Sequence, residues 1–306
     1  REAAAVACSN LLLRPNDPYL KANLAKTHYR AMIYRVLEQL LTVGVADPMP
    51  RIRQTVINAL HPRFDAFLAQ AENLHALFVA LNDENFPIRA AAISVIGRLA
   101  LKNPAYVMPS LRKSLIHLLT QIQYGVDSVS QEQSCRLLGH LVESSEMLTK
   151  PYLPAILKVL LPSLKKMGPT TTAGAATADP RVVSCVVETL GKLEKVGGLE
   201  LRAYLPDLLP FLLGHLKNRG QAHSIEREVV LKALGKLIRA TGNVILPYVQ
   251  YPELLPTLLR ILSTEVKWEA RLEALKVLGI LGALDPYQHK INEAKLRDAA
   301  IEAANR

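Results

Sequence analysis

Aromatic side chains are scarce in this sequence. They make up 5% of its 306 residues, and the one Trp is Trp268. A β-sandwich draws on Val, Thr and aromatics, so this shortage, beside abundant Leu and Ala, favours packed helices. Cysteine is also sparse. Cys8, Cys135 and Cys185 form an odd set with no Cys-x-x-Cys spacing, which suits a reducing compartment and not a disulfide framework. Cys135 and Cys185 fall in apolar helical stretches and read as buried thiols. No apolar run approaches the roughly 20 residues that span a bilayer, and no signal-peptide pattern opens the chain. Blocks of like charge are missing too. The net charge of +10 is therefore spread over folded surface, not carried by a disordered basic arm. The chain opens on "REAAAVACSNLLLR" and ends on "RDAAIEAANR", both helix-like, and reads as a piece of a longer protein.

Catalytic constellations are lacking. The eight His residues show no His-Glu-x-x-His pattern and no ligand spacing with Cys, so no metal site is expected. No phosphate-cradling GxxxxGK[ST], nucleophile-elbow GxSxG or kinase catalytic loop occurs, and no cofactor is expected. Paired acids such as Asp83 and Glu84 read as helix-capping groups. Trp268, standing alone, makes no base-stacking platform.

What the sequence does have is repetition. A Leu/Ile-Gly-x-Leu phrase recurs at Gly97, Gly139, Gly191, Gly235 and Gly279, with spacings of 42, 52, 44 and 44 residues. The long spacing contains "GPTTTAGAATAD" (168–179), which reads as an inserted loop. "RIRQTVINALH" (51–61) is an earlier copy with His61 at the glycine position. Between the glycines lies a second phrase, as in "PYLPAILKVLLPSL" and "AYLPDLLPFLLGHL", with Pro near the start of an apolar run. Proline is tolerated in a first helical turn because its missing N–H would be unpaired there. Each unit is thus a helix A opened by Pro and a helix B carrying the Gly. Pro162 and Pro210, farther along, are expected to bend or end their helices.

In helix B the positions −5, −4, −2, −1 and +2 from the glycine are mostly apolar. The stripe is wide, as for a helix wedged between its partner and the next unit. A mid-helix Gly costs roughly 1 kcal/mol relative to Ala, so close approach by a neighbouring helix is expected to offset it. A two-helix unit with a period of about 42–44 residues predicts an all-α solenoid of the HEAT/armadillo class. The turns "DPMPRIR" (47–53) and "DENFPIR" (83–89), with Asp six residues before Arg, favour HEAT. The expected layout is a solenoid over 1–285 with about six to seven helix pairs, then a connecting segment or the start of the next helical block over 286–306.

Two columns on helix B lie opposite the apolar stripe. Position +1 reads Arg98, His140, Lys192, Lys236 and Ile280, and position −3 reads Ser94, Arg136, Glu188, Lys232 and Lys276. A solvated helix face is the plainer account, since Lys and Arg are good exposed helix formers. The functional alternative is a basic ladder of Arg98, Arg136, His140, Lys192, Lys232, Lys236 and Lys276 that receives an acidic partner segment.

Particular phrases carry a resemblance. "LAQAENLHALFVALND" within residues 64–116, "EQSCRLLGHLVESSEMLTKPYLPAILKVLLPSLK" and "LGALDPYQHK" resemble the amino-terminal HEAT region of the target-of-rapamycin (TOR) Ser/Thr protein kinases. The resemblance implies a scaffold segment whose parent has its kinase domain outside this chain. It implies contacts with a Raptor-type subunit, a second copy of the parent kinase and an activating small GTPase. The implied location is cytoplasmic, at a lysosomal or vacuolar membrane surface through partners. Two other readings remain: a HEAT scaffold or transport carrier of another family, and a basic nucleic-acid-binding HEAT protein. The second lacks interface aromatics and a dense basic run.

Overall fold

The computed structural model describes residues 1–12, 27–165, 179–217, 224–242 and 249–281, with isolated positions from 290 onward. Of the expected loop at 168–179 only Asp179 is among them, and most of 286–306 lies outside. The described regular structure is helical. The longer helices are α1 (Glu2–Leu12), α2 (Thr27–Ala46), α3 (Pro50–Asn58), α4 (Ala71–Ala80), α5 (Phe86–Leu99), α6 (Pro104–Tyr124), α7 (Ser128–Ser144), α8 (Leu153–Lys165), α9 (Pro180–Lys192), α10 (Leu205–Lys217), α11 (Ser224–Thr241), α12 (Leu254–Thr264) and α13 (Trp268–Leu281).

Two compact units are present. The first comprises Arg1–Gln121 with Arg136–Thr149, and the second Ile122–Cys135 with Lys150–Arg306. In the first, α2 pairs with α3 and α4 with α5, while α2 stacks on α4 and α3 on α5. In the second, the pairs are α8 with α9, α10 with α11 and α12 with α13. There α8, α10 and α12 stack as one layer, and α9, α11 and α13 as the other. The B helices of the second unit run parallel. Gly191 lies against Ala233 and Lys236, and Gly235 against Val277 and Ile280, a nearly constant offset along the chain.

Local sequence explains where the helices start. Asp47 Oδ1 accepts the Met49 N–H at 2.9 Å, and Met49 is extended (φ −89°, ψ 114°) ahead of Pro50 at the first helical position. A residue before proline is pushed out of the helical region, so α3 can begin only there. The arrangement recurs at Asp83, whose Oδ1 accepts the Asn85 N–H at 2.8 Å. Asp179 caps α9 through the Arg181 N–H at 2.9 Å, and Asp127 caps α7 through the N–H groups of Val129 and Ser130. Each carboxylate satisfies an N–H in the first turn of a helix or just before it.

Pro162 and Pro210 do not end their helices; α8 and α10 run through both. Each proline lies on an exposed side, where water can satisfy the carbonyl one turn back that loses its N–H donor. Cys135 and Cys185 are buried and Cys8 is exposed. The core is built from the apolar stripe: Ala92, Ile93, Val95, Ile96 and Leu99 are buried on α5, as are Val186, Val187 and Leu190 on α9.

Candidate interaction surface

The turn arginines act first within their own repeats. Arg53 Nη1 donates to the Asp47 carbonyl at 2.8 Å, and Arg89 Nη1 to the Asp83 carbonyl at 2.7 Å. Arg53 then reaches the following turn, where Nε and Nη2 donate to the two oxygens of Asp83 at 2.8 and 3.0 Å. Arg1 makes the same kind of link to Asp47 at 2.7 Å. Burial pushes the Asp83 carboxyl up, yet the hydrogen bonds from Arg53 and the Asn85 N–H, with the Arg53 charge, hold it below the usual carboxylate value. Hydrogen bonding to Asp83 raises Arg53 against the opposing effect of burial.

The turn arginine stands eight residues before the repeat glycine, which places Gln131, Val183, Arg227 and Arg271 at the equivalent points. Gln131 keeps the first half of the role. Its Nε2 donates to the Gly125 carbonyl at 2.8 Å, as Arg53 does to Asp47. Val183 is buried and cannot. Arg227 pairs with Glu265 at 2.6 Å in the next turn. The contacts of Arg53, Arg89, Gln131 and Arg227 therefore belong to the frame, while Arg271 is exposed.

The basic column is more divided than the sequence suggests. Arg98 turns back to a buried acid on the preceding segment. Its Nε donates to both oxygens of Asp65 at 2.9 Å, and Nη2 to the Leu60 carbonyl at 2.9 Å. Arg136 is exposed on α7 and His140 half-buried. Lys192 pairs with Glu188 at 3.2 Å and Lys276 with Glu273 at 2.8 Å. Lys232 pairs with Glu228, one turn earlier on the same helix. That hydrogen bond raises Lys232 above the ordinary lysine value against a lowering by burial, with added attraction from the charges of Glu228, Glu273 and Glu188. Three successive B helices thus share a lattice of alternating sign. Only Glu188 falls in the two columns counted from the sequence. Glu228 and Glu273 escape them, although Glu228 is a four-residue helical neighbour of Lys232 and was detectable by that spacing.

The repeat glycines differ among themselves. A methyl group on Gly97 would lie 2.6 Å from Ser144 Cβ and 3.1 Å from the Ser144 backbone carbon, so α5 and α7 meet almost backbone to backbone. On Gly191 it would lie 3.2 Å from Ala233 Cα, and on Gly235 3.4 Å from Val277 and Ile280 side chains. Gly279 faces open space, and Gly139 is buried. Among the described residues no cluster of His, Cys, Asp or Glu could hold a metal ion. No described helix is long and apolar enough to cross a membrane.

This all-helical repeat fold has relatives among solved structures. Over 91% of this chain and 25% of that one it superposes on Kap121p bound to Pho4p, with a TM-score of 0.57 and 17% identity. Kap121p bound to Nup53p gives a TM-score of 0.57 over 99% and 32%, at 15% identity. At such identities the likeness shows the HEAT-type fold alone. Sequence comparison goes further. The chain is 47% identical over 264 residues to the serine/threonine-protein kinase TOR of Oryza sativa subsp. japonica, covering 85% of this chain and 10% of that protein. The chain is similar to a segment of the TOR serine/threonine kinases. It is 42% identical over 296 residues to tor1 of Schizosaccharomyces pombe, covering 96% and 12%, and 41% identical over 263 residues to mTor of Drosophila melanogaster, covering 85% and 10%. Residues 244–306 also match a family described as the serine/threonine-protein kinase mTOR domain. That stretch contains α12 and α13. The segment spans about a tenth of the length of the curated relatives it matches.

Proposed function

We propose that this TOR segment is a non-catalytic HEAT-repeat scaffold, with 1–285 as the repeat array and 286–306 as a connecting segment toward the next helical block. It binds a Raptor-type, substrate-presenting subunit and supports dimeric assembly of the parent kinase in nutrient and growth signalling. The kinase domain of the parent lies outside this chain. Activating small GTPases act on the assembled complex, which works in the cytoplasm and at a lysosomal or vacuolar membrane surface through its partners. The observation that carries this reading is the identity to TOR kinases over 85–97% of the chain in the plant and yeast relatives, on a fold of stacked helix pairs. Such a fold offers a long surface in which each repeat contacts only its neighbours.

The test is capture of a purified Raptor-type subunit by this chain across a salt series. A second arm carries charge reversals at Lys192, Lys232 and Lys236. Capture that the reversals weaken supports an interface on the B helices. Capture that they leave intact moves it to the A helices or turns. No capture by the wild-type chain counts against the scaffold reading.

A further inference from the structure

We propose that the carboxyl-terminal ends of α9 and α11 form a docking strip for an acidic peptide segment of a protein partner, carried by Lys195, Lys236 and Arg239. This names the chemistry of the partner segment and rests on the scaffold reading.

The B-helix face of the second unit is graded along its length. Lys232 and Lys276 within their helices, and Lys192 at the last position of α9, are each matched by a carboxylate: Lys192 by Glu188, Lys232 by Glu228 and Lys276 by Glu273. One turn farther on, the matching stops. Lys236 and Arg239 follow Lys232 at successive turns of α11, and Lys195 follows Lys192 in the helical turn Glu194–Gly197. All three are exposed. Among the described residues none of the three has a carboxylate at ion-pair distance.

Packing brings the three together. The turn Glu194–Gly197 lies against α11. Lys236 Cδ is 3.6 Å from where a Gly191 Cβ would be, so the lysine stem crosses α9 at its glycine. Lys195 and Arg239 each lie about one helical turn beyond that crossing, on the two elements that pack there. Glu194 and Glu200 flank the strip, and Arg202 on the Gly198–Tyr204 turn, which also packs on α11, offsets one of them. The strip stays net positive.

Cations at helix ends complement the helix dipole, and that accounts for one of them per helix. It does not account for exposed cations from two helices converging while the acids of the same face are taken up one turn earlier. An extended acidic segment lying across both helix ends would meet all three. A charge pattern of this kind sets partner choice and association rate more than bulk affinity.

The probe is a fluorescein-labelled peptide of alternating Glu and Ala, titrated into this chain at low and at physiological salt by anisotropy. Lys195→Glu/Lys236→Glu/Arg239→Glu is expected to weaken binding by about tenfold or more. The control Lys232→Glu/Lys276→Glu, with the same fold by circular dichroism, is expected to stay within about twofold, because those lysines are already neutralised. Should the reversals disturb folding, the milder Lys195→Gln/Lys236→Gln/Arg239→Gln gives the same ranking. Equal losses in strip and control variants overturn the proposal. So does an absence of peptide binding by the wild-type chain, or tighter binding of duplex DNA than of the peptide. Capture of the Raptor-type subunit by the wild-type chain is read separately. The strip fails on the peptide titration alone, and the scaffold reading fails on that capture alone.

Discussion

The two units hold their repeats together by different means. In the first, turns are joined by rungs: Arg1 to Asp47, then Arg53 to Asp83 with both oxygens engaged. In the second, one rung of this kind is present among the described residues, Arg227 to Glu265, while Gln131 and Val183 occupy the equivalent points of α7 and α9. The stacking there runs through the B helices, where Gly191 lets α11 approach to a Cα and the outer face carries the Lys–Glu lattice. The contrast teaches that one repeat geometry can be held at its turns by buried charge or along its helix faces by surface charge, with glycine seams in both units. The two modes respond to different perturbations.

The largest expected effect comes from breaking a rung. The side chains of Arg53 and Asp83 are each 8% exposed, and removal of one member of a buried pair strands the other. Arg53→Ala is expected to destabilise the first unit by about 3 kcal/mol, measured by denaturant unfolding. The rung should also show in the pH response. Asp83 has its folded-state pKa below the ordinary 3.8, so its contribution is present in full above that value and is lost as pH falls through the lowered one. Asp83→Asn should flatten the acid limb of the stability profile. An unchanged limb would remove this rung from the comparison.

Next come the glycines, which divide by what they face. Gly97→Ala forces Ser144 Cβ and its backbone carbon to move, and overpacking of that kind costs about 1–3 kcal/mol. Gly191→Ala presses on Ala233 Cα, and the helix propensity gained, about 1 kcal/mol, offsets part of the cost. Gly279→Ala meets nothing and should stabilise by about 0.5–1 kcal/mol. A melting series in the order Gly279→Ala, wild type, Gly191→Ala, Gly97→Ala is the expected result. A different order would mean that the seams yield more readily than these contacts allow.

The helices, their glycines and the Asp–Arg turns were legible in the sequence because all rest on short spacings. The apolar stripe follows from the helical period, and an Asp before a proline-opened helix follows from capping. What a short spacing cannot show is partnership across a repeat. Arg98 stood in a solvent-facing column, yet its partner is Asp65, 33 residues earlier. Gln131 as the stand-in for a turn arginine could have been found by aligning the glycines and reading eight positions back. Leu275 marks another limit. Its equivalents Val187 and Leu231 are 1% and 0% exposed and Leu275 is 54%, because α13 has no further B helix packed on it among the described residues. No pattern within one helix distinguishes those cases.

The smallest expected effect tests the surface lattice. Lys232 is about half exposed, so its pair with Glu228 is screened, and an exposed pair one helical turn apart contributes about 0.3–0.5 kcal/mol. Lys232→Ala should lower stability by no more than that, and salt should shrink the difference. The pH dependence runs opposite to that of Asp83. The folded-state pKa of Lys232 is raised above 10.5, so its contribution is complete below that value and disappears as pH rises through the raised one. A double-mutant cycle of Lys232→Ala with Glu228→Ala, repeated with Glu273→Ala, separates the within-helix pair from coupling across α11 and α13. Coupling confined to Glu228 would make the lattice a set of isolated surface pairs. Coupling that extends to Glu273 would show that the second unit, like the first, uses charge to hold successive repeats in register, but on its helix faces and at a fraction of the strength.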